Sequence, residues 1–409
     1  MEKVNRKLNK NFFYFLLGLA LIRPSLDILS QIEFQIYSNL PTINLNVIIG
    51  GLVFLILIFF FFINVKKIYS TPLFYPIFIF IGLCFLSIFY SIDTFTSIRE
   101  FIRIATIFLL YFLAYKLIED KKDFYLLLKI ILISYIIPAI VGLIQFFNNS
   151  GMTDDFGGFQ RIYGTFAHPN LFAFYTFFIL GLLISLLLTS QKTSSLIFNK
   201  KIIIIAIGLS VFLLFATYTR SALACLSFFV LIFGILKYRR MLLVGALLFL
   251  AAYFLSDVFR ERLWELISLD PYGSIVWRFK LWKDILPLSL WQPWFGYGLG
   301  TFEKLTEFYR GFSLGSLEAH NDYLKIFIEN GIIGLTAYFW VIIGLLFSLW
   351  KIFKKTIKKE KIIGLGLLVI TISLIVAASF DNILRTTALQ WNLWIIFGGW
   401  IKIKAPHIV

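Results

Sequence analysis

The sequence predicts an all-α polytopic membrane protein, and three observations carry that prediction. Apolar runs recur along the 409-residue chain, each near the roughly 20 residues a helix needs to cross a hydrocarbon core about 30 Å thick. Charge is scarce: 15% of residues are charged and 60% hydrophobic, where a soluble domain carries roughly a quarter charged. The net charge of +16 is segregated along the chain rather than spread over it.

Taken in order, the apolar runs place about twelve transmembrane helices at 12–31, 43–63, 73–90, 99–118, 124–147, 170–190, 202–218, 220–237, 241–256, 322–350, 362–380 and 386–401. Both termini then lie on one side, and residues 1–409 form a single integral membrane domain. The first run follows a basic start (Lys3, Arg6, Lys7, Lys10) and no small-residue cleavage site follows it, so it reads as an uncleaved span rather than a signal peptide. Arg23, Pro24 and Asp27 interrupt it, which makes it the least regular of the twelve. Cys84 and Cys225 each sit inside an apolar run, far apart. They suggest neither a disulfide framework nor a metal site.

The charges fix the orientation. The termini and alternate loops hold Lys66/Lys67, Lys116/Lys121/Lys122, Lys192/Lys200/Lys201, Lys237/Arg239/Arg240, the Lys351–Lys361 cluster, Lys402 and Lys404. That side carries 23 basic and 5 acidic residues, and everything else carries 15 basic and 17 acidic. The positive-inside rule makes the first side cytoplasmic. The basic balance is therefore a topology signal and says nothing about nucleic acid; no nucleic-acid partner is expected.

One connection is long. Residues 257–321 lie between spans nine and ten, on the extracytoplasmic side, and a loop of this length in a compact protein is usually functional. Within it, DVFRERLWELISL places Phe259, Leu263, Leu266 and Ile267 on one helical face, with Arg260, Glu261 and Glu265 elsewhere, as in a helix lying flat at the interface. After Pro271 and Gly273, SIVWRFKLWKDIL forms a second amphipathic helix stopped by Pro287, with Arg278 and Trp282 four apart on one face. Five of the ten tryptophans (Trp264, Trp277, Trp282, Trp291, Trp294) fall in this loop. An aromatic belt explains them; stacking on sugar rings is the functional alternative.

Arginine is distributed unlike lysine. Of thirteen arginines, only Arg6, Arg239 and Arg240 are cytoplasmic, and ten lie in or beside the outer half. A guanidinium binds phosphate oxygens through a planar, bidentate fork that an ammonium lacks. An outer cavity rimmed by arginine suggests an anionic phosphate group, and the plainer alternative is Arg–acid pairs bracing the loop.

Four stretches could carry chemistry. In FATYTRSALACL, Arg220 interrupts apolar sequence at the outer turn between spans seven and eight; such a residue marks a function or snorkels to the headgroups. In RIYGTFAHPNLFAFY, Pro169 suits a first helical turn, so His168 or Asn170 caps span six, though His168 could line the same cavity. WRFKLWKDILPLSLWQPWFGYGLGTF carries Gly296, Gly298 and Gly300 without the strand a dinucleotide fingerprint requires, so tight turns explain them. In LEAHNDYLKIFIENGIIGL, a short helix starting near Asn321 would break at Asn330-Gly331, a break tolerated at membrane depth where it lines a cavity. That would aim His320 at an outward pocket near Arg220 and Arg278, and histidine is the side chain best suited to exchange a proton near neutral pH.

In this order these motifs resemble the O-antigen ligase and O-antigen polymerase superfamily of bacterial envelope enzymes. The matching pieces are GTFAHPNLFA (164–173), TYTRSA (217–222), Arg278 and Trp282 followed by PWFGYGLGTF, and AHNDYLKIFIENGIIGL (319–335), within a similarity running from about 160 to 400 that includes FDNILRTTALQWNLWIIFG. Ser221-Ala222 lacks the glycine many members carry after the arginine. The resemblance implies a membrane-embedded, glycosyltransferase C-like fold and a metal-independent, inverting transfer, without cofactor. It also implies an undecaprenyl-diphosphate-linked glycan as donor and a glycan or glycolipid as acceptor, at the outer face of the cytoplasmic membrane. Arg220 and Arg278 match the arginines that engage the diphosphate, and His320 matches the histidine that activates the acceptor hydroxyl. Asn170, Trp282 and Asn321 are candidates for the same cavity, and Glu318 or Asp322 is the alternative base or a partner orienting the histidine.

The same residues leave a capsule or O-antigen polymerase open. A flippase for lipid-linked glycans is the competing class; it predicts cavity charge on both faces or paired broken helices, whereas the motifs lie on the outer side alone.

Overall fold

The computed structural model describes residues 2–34, 43–153, 158–189, 197–236, 238–268, 273–310, 316–356 and 360–404. The expected turn at Pro271 and the basic residues Lys192, Lys237, Lys358 and Lys359 lie outside them. Helices follow in order: α1 Glu2–Leu26, α2 Leu45–Ile68, α3 Phe74–Leu86, α4 Thr94–Leu117, α5 Lys121–Ser134, α6 Ile136–Phe147, α7 Pro169–Leu187 and α8 Lys200–Ala216. Then come α9 Arg220–Leu236, α10 Arg239–Leu255, α11 Asp257–Ser268, α12 Ser274–Ile285, α13 Phe302–Arg310, α14 Asp322–Lys355, α15 Lys361–Ala377 and α16 Thr387–Lys404.

The protein is an all-α membrane protein, and each run expected to span coincides with a helix. Five stretches are long and apolar enough to cross a membrane: Leu8–Ser30, Leu45–Lys66, Lys121–Phe147, Pro169–Leu187 and Asp322–Lys355. A sixth arises if α10 and the start of α11, bent by 103°, count together. The other expected spans fall short for visible reasons. Helices α8, α9 and α15 have 17 residues each, which at 1.5 Å per residue reaches about 26 Å. Helix α4 is longer but carries Arg99, Glu100 and Arg103 in its first half. Two ribbons, Glu33–Phe34 with Ile43–Asn44 and Met152–Thr153 with Gln160–Arg161, depart from a purely helical reading. Strands of two residues leave no periodicity to detect.

Side-chain caps set several helix starts. Asn44, Asp93, Asp120, Asn199 and Asn321 each accept a hydrogen bond from a backbone N–H in the first turn, satisfying donors that a helix otherwise leaves bare. Helices α4, α7, α15 and α16 form the buried centre, with α16 packed against α1, α4 and α5. Within it, the Asn392 amide donates to the Tyr175 hydroxyl at 2.8 Å. The charges that interrupt the first span pair with each other, Arg23 Nη1 to Asp27 Oδ1 at 2.6 Å, and the guanidinium lies over the Trp391 ring. A buried pair satisfied in this way avoids stranding either charge. Helix α10 buries none of its residues and forms an apolar outer edge.

The feature that positions the site is a break in α14. Gly331 has φ 63° and ψ −169°, outside helical geometry. The 293–301 turn docks into the gap: Ile332 N donates to Pro293 O at 2.8 Å, Tyr297 N to Ile328 O at 3.1 Å, and Gly298 N to Glu329 O at 2.8 Å. The backbone groups freed by the break are thereby satisfied. A Cβ on Gly331 would lie 2.2 Å from Trp294 O, so the close approach requires glycine.

Candidate functional site

The loop between α15 and α16, residues 378–386, organises the site. Its backbone is pinned from α14, where Asp322 N donates to Ala378 O and Asp322 Oδ2 accepts from Leu384 N, both at 2.8 Å. From α4, Arg103 Nη1 donates to Leu384 O at 2.5 Å. Asp322 is 2% exposed and braces this loop.

At the centre of the loop stands Asp381. Its carboxylate accepts from Ser221 Oγ at 2.8 Å, from Asn170 Nδ2 at 3.1 Å and from the Asn382 backbone N–H at 3.0 Å. His320 Nδ1 lies 3.6 Å from Asp381 Oδ1, beyond hydrogen-bond length but close enough for strong charge attraction. Burial alone would raise the Asp381 carboxyl; His320, Arg278 and Ser221 outweigh it and hold the group well below the usual carboxylate range. It stays ionised through the neutral range.

His320 occupies the turn just before the Asn321 cap, with φ 46°, a left-handed conformation uncommon for a residue with a Cβ. Its ring meets the Trp277 indole edge-on at 5.7 Å. Its Nδ1 is buried and makes no hydrogen bond. Trp282, one turn from Arg278 on α12, donates Nε1–H to Ala319 O at 2.7 Å. That bond fixes the backbone beside His320 and gives Trp282 a bracing role.

Three guanidiniums stand on one side. Arg278 Nη1 donates to Phe380 O at 2.6 Å, while its Nε is buried without a partner. Burial lowers the Arg278 pKa and Asp381 opposes that shift; an arginine remains cationic throughout. Arg220, at the start of α9, pairs with Glu265 of α11 at 2.8 Å, and Arg262 reaches the same carboxylate oxygen at 3.2 Å. Two guanidiniums sharing one carboxylate leave positive charge in excess. The acid pairing weighed for the outer arginines thus holds for Arg220 and Arg262. Arg161 joins from below, donating to Asn170 Oδ1 at 2.8 Å, Thr219 Oγ1 at 3.0 Å and Thr217 O at 2.9 Å.

Beside Asp381 the loop is lined differently. Glu318 accepts from the Arg385 guanidinium and from the Asn382 amide. Arg385 also holds Glu303 at 2.7 Å. Burial would lower the Arg385 pKa, but Glu318, Glu303 and Glu100 raise it. A small cavity of about 20 Å³ lies here, where Glu100, Glu318, Asp322 and Glu329 face Arg103, Lys325 and Arg385. Glu318 is thus held by two partners.

The structure therefore brings Arg220, Arg278, His320, Asn170, Glu318 and Trp282 around one loop. His168 does what a cap does: its Nδ1 accepts from Asn170 N at 3.1 Å at the start of α7. Asn321 likewise caps α14. Asp381, Ser221 and Asn382 were not singled out by the sequence reading, and Arg385 entered it only as one of the ten outer arginines. The signal available was FDNILR, an acid and a base between two apolar runs, each an intramembrane charge needing a partner. Among the described residues, no group of three His, Cys, Asp or Glu is arranged to hold a metal.

A comparison with curated proteins finds no match. The family model described as O-antigen ligase matches residues 205–339, roughly a third of the chain. The match contains Arg220, Arg278 and His320 and leaves out Asn170 and Asp381, whose stretches resemble the family by motif alone. Residues 205–339, which carry both candidate arginines and the histidine at the centre of the site, are thus similar to the O-antigen ligase family.

Proposed function

We propose that the protein is an O-antigen ligase-like glycosyltransferase that moves a glycan from undecaprenyl diphosphate to an acceptor glycan or glycolipid at the outer face of the cytoplasmic membrane. In this reading twelve helices span, both termini are cytoplasmic and residues 257–321 lie outside. One observation carries it: Arg278 and His320 both face the Asp381 loop, Arg278 donating to Phe380 O and keeping an unpartnered Nε, His320 setting Nδ1 3.6 Å from Asp381 Oδ1.

The chemistry needs two things at once. The donor is already activated, so the leaving group is a diphosphate whose charge grows as the glycosidic bond breaks. Arg278, with Arg220 and Arg262 behind it, is a preorganised cationic wall for that charge. The acceptor hydroxyl must lose a proton as it attacks the anomeric carbon, and His320 takes it. Attack from the face opposite the diphosphate inverts the anomeric centre. The arginines supply the positive charge that a metal ion supplies in other diphosphate-releasing sites, so the step runs without one. Asp381 acts through His320, holding the imidazole and stabilising the imidazolium that forms, in the manner of the carboxylate in a Ser-His-Asp triad.

Deleting the gene and extracting lipid-linked glycans tests the reading. Accumulation of undecaprenyl-diphosphate-linked glycan supports it: fully polymerised donors identify a ligase, and single repeats a polymerase. An unchanged lipid-linked pool, or a pool trapped on the cytoplasmic side as a lost flippase would leave it, overturns it.

A further inference from the structure

The cavity beside Glu318 has no part in the step just described, and its chemistry differs from that of the arginine side. Its charges are matched internally. Arg103 holds Glu100 through Nε at 3.0 Å and Nη2 at 2.5 Å, Lys325 lies 3.8 Å from Glu329, and Arg385 holds Glu318 and Glu303. Four lining carboxylates face three cations, so no excess positive charge is left to draw in a phosphate. Paired carboxylates and guanidiniums present acceptors and donors at close spacing, the pattern that hydrogen-bonds hydroxyl groups.

A second observation is independent of the cluster. Asn382, 7% exposed, lines the cavity; its Nδ2 is bound to Glu318, and its Oδ1 is buried without any hydrogen-bond partner. A buried amide oxygen left bare carries a desolvation penalty that a donating hydroxyl would relieve. The enclosed space of about 20 Å³ holds one group the size of a water, so a hydroxyl or hydroxymethyl enters and the sugar ring does not. Its position is specific too: Glu318 lies two residues before His320 in the chain, and Asn382 follows Asp381, the residue that His320 faces.

We infer that this cavity is the acceptor subsite: it takes a hydroxyl of a neutral sugar on Asn382 Oδ1 while a neighbouring hydroxyl of the same sugar faces His320. The inference rests on the transferase reading above and adds to it the class of acceptor, an uncharged sugar residue at the point of attachment.

The test uses the purified full chain in lipid nanodiscs, with methyl glycosides of glucose, galactose and mannose as probes, methyl glucuronide as the anionic control, and saturation-transfer NMR as readout. At least one neutral glycoside binds and the glucuronide does not. Asn382→Leu weakens that binding about tenfold, the worth of one hydrogen bond to a buried group. Added undecaprenyl diphosphate leaves the glycoside signal in place. Binding of no neutral glycoside by the native chain overturns the inference. So does a well-folded Asn382→Leu protein that binds as the native one does, or displacement of the glycoside by undecaprenyl diphosphate, which would give the cavity to the donor's own sugar. Binding of undecaprenyl diphosphate is measured on the same sample. Its absence would sink the donor reading while leaving the glycoside result standing, so the two failures are told apart.

Discussion

Asp381→Asn exchanges a carboxylate for an amide of the same shape at the centre of the loop. Ser221 and Asn170 keep an oxygen to donate to, while the negative charge facing His320 disappears. At 3.6 Å, the attraction between that charge and a protonated imidazole is about 1 kcal/mol at the dielectric constant of water and about 4–5 kcal/mol at an effective value of 20. The His320 and Asp381 side chains are 15% and 5% exposed, which favours the larger figure. Imidazolium forms as the acceptor proton is taken, so this energy belongs to the transition state. Its loss lowers turnover between about tenfold and a thousandfold. The assay is transfer by purified protein from undecaprenyl-diphosphate-linked glycan, with donor binding followed separately. Turnover falls and donor affinity largely persists. A folded Asp381→Asn protein with near-native turnover, or one whose loss lies in donor affinity rather than in turnover, would refute the positioning role.

The remaining predictions are more local. His320→Ala lowers turnover by about 10²–10⁴-fold with donor binding kept; near-normal turnover with an unchanged acid limb would reduce His320 to a strained turn residue. Arg278→Ala abolishes transfer in a protein that still inserts, and Arg278→Lys rescues poorly because the fork is lost; Arg220→Ala does the same with added loosening of α11, since Glu265 loses a partner. Full activity in both alanine variants ends the diphosphate assignment. Cysteines placed at Ser268 and Ser316 react with a membrane-impermeant thiol reagent in intact cells and one at Thr356 does not; labelling at Thr356 alone inverts the topology. Gly331→Ala forces a Cβ against Trp294 O at a positive φ, so thermal stability drops, by at least the roughly 1–3 kcal/mol typical of overpacking; an unchanged melting temperature would mean the break tolerates a side chain.

Much of this was legible in the sequence because its signals are local. Hydropathy marked the helices, and the 257–321 segment announced α11 and α12 through amphipathic spacing, with Phe259 buried and Arg260 and Glu261 exposed as the pattern requires. Asn330-Gly331 announced the break in α14. The exchange of Arg220 with Glu265 was one of two readings left standing, and only their contact decides it. What stayed hidden was long-range. Asp381 reaches Ser221 and Asn170 across 160 and 211 residues of chain, and nothing in FDNILR distinguishes a carboxylate that organises a site from one that meets the headgroups. Asp322 stood in the motif as an alternative base, and nothing local announced that its carboxylate also braces the loop through Leu384 N.

The placement of these residues along the 378–386 loop also bears on why the motifs are so far apart in sequence. Phe380 receives Arg278, Asp381 receives Ser221, Asn170 and the approach of His320, and Asn382 with Arg385 receives Glu318. On the proposed reaction, successive loop residues would serve successive functions, from leaving-group charge to proton transfer to hydroxyl binding. A reaction that needs a cation and a base close together must keep Arg278 and His320 from simply repelling once His320 is protonated. A single ionised carboxylate between them does this, and only if the loop carrying it cannot move. That explains the investment in pinning the loop: two bonds from Asp322 and one from Arg103 fix its ends, and α15 and α16 leading into and out of it are among the most buried helices of the protein. A site assembled from four separate helix ends owes its precision to the rigidity of the short strap that all four touch.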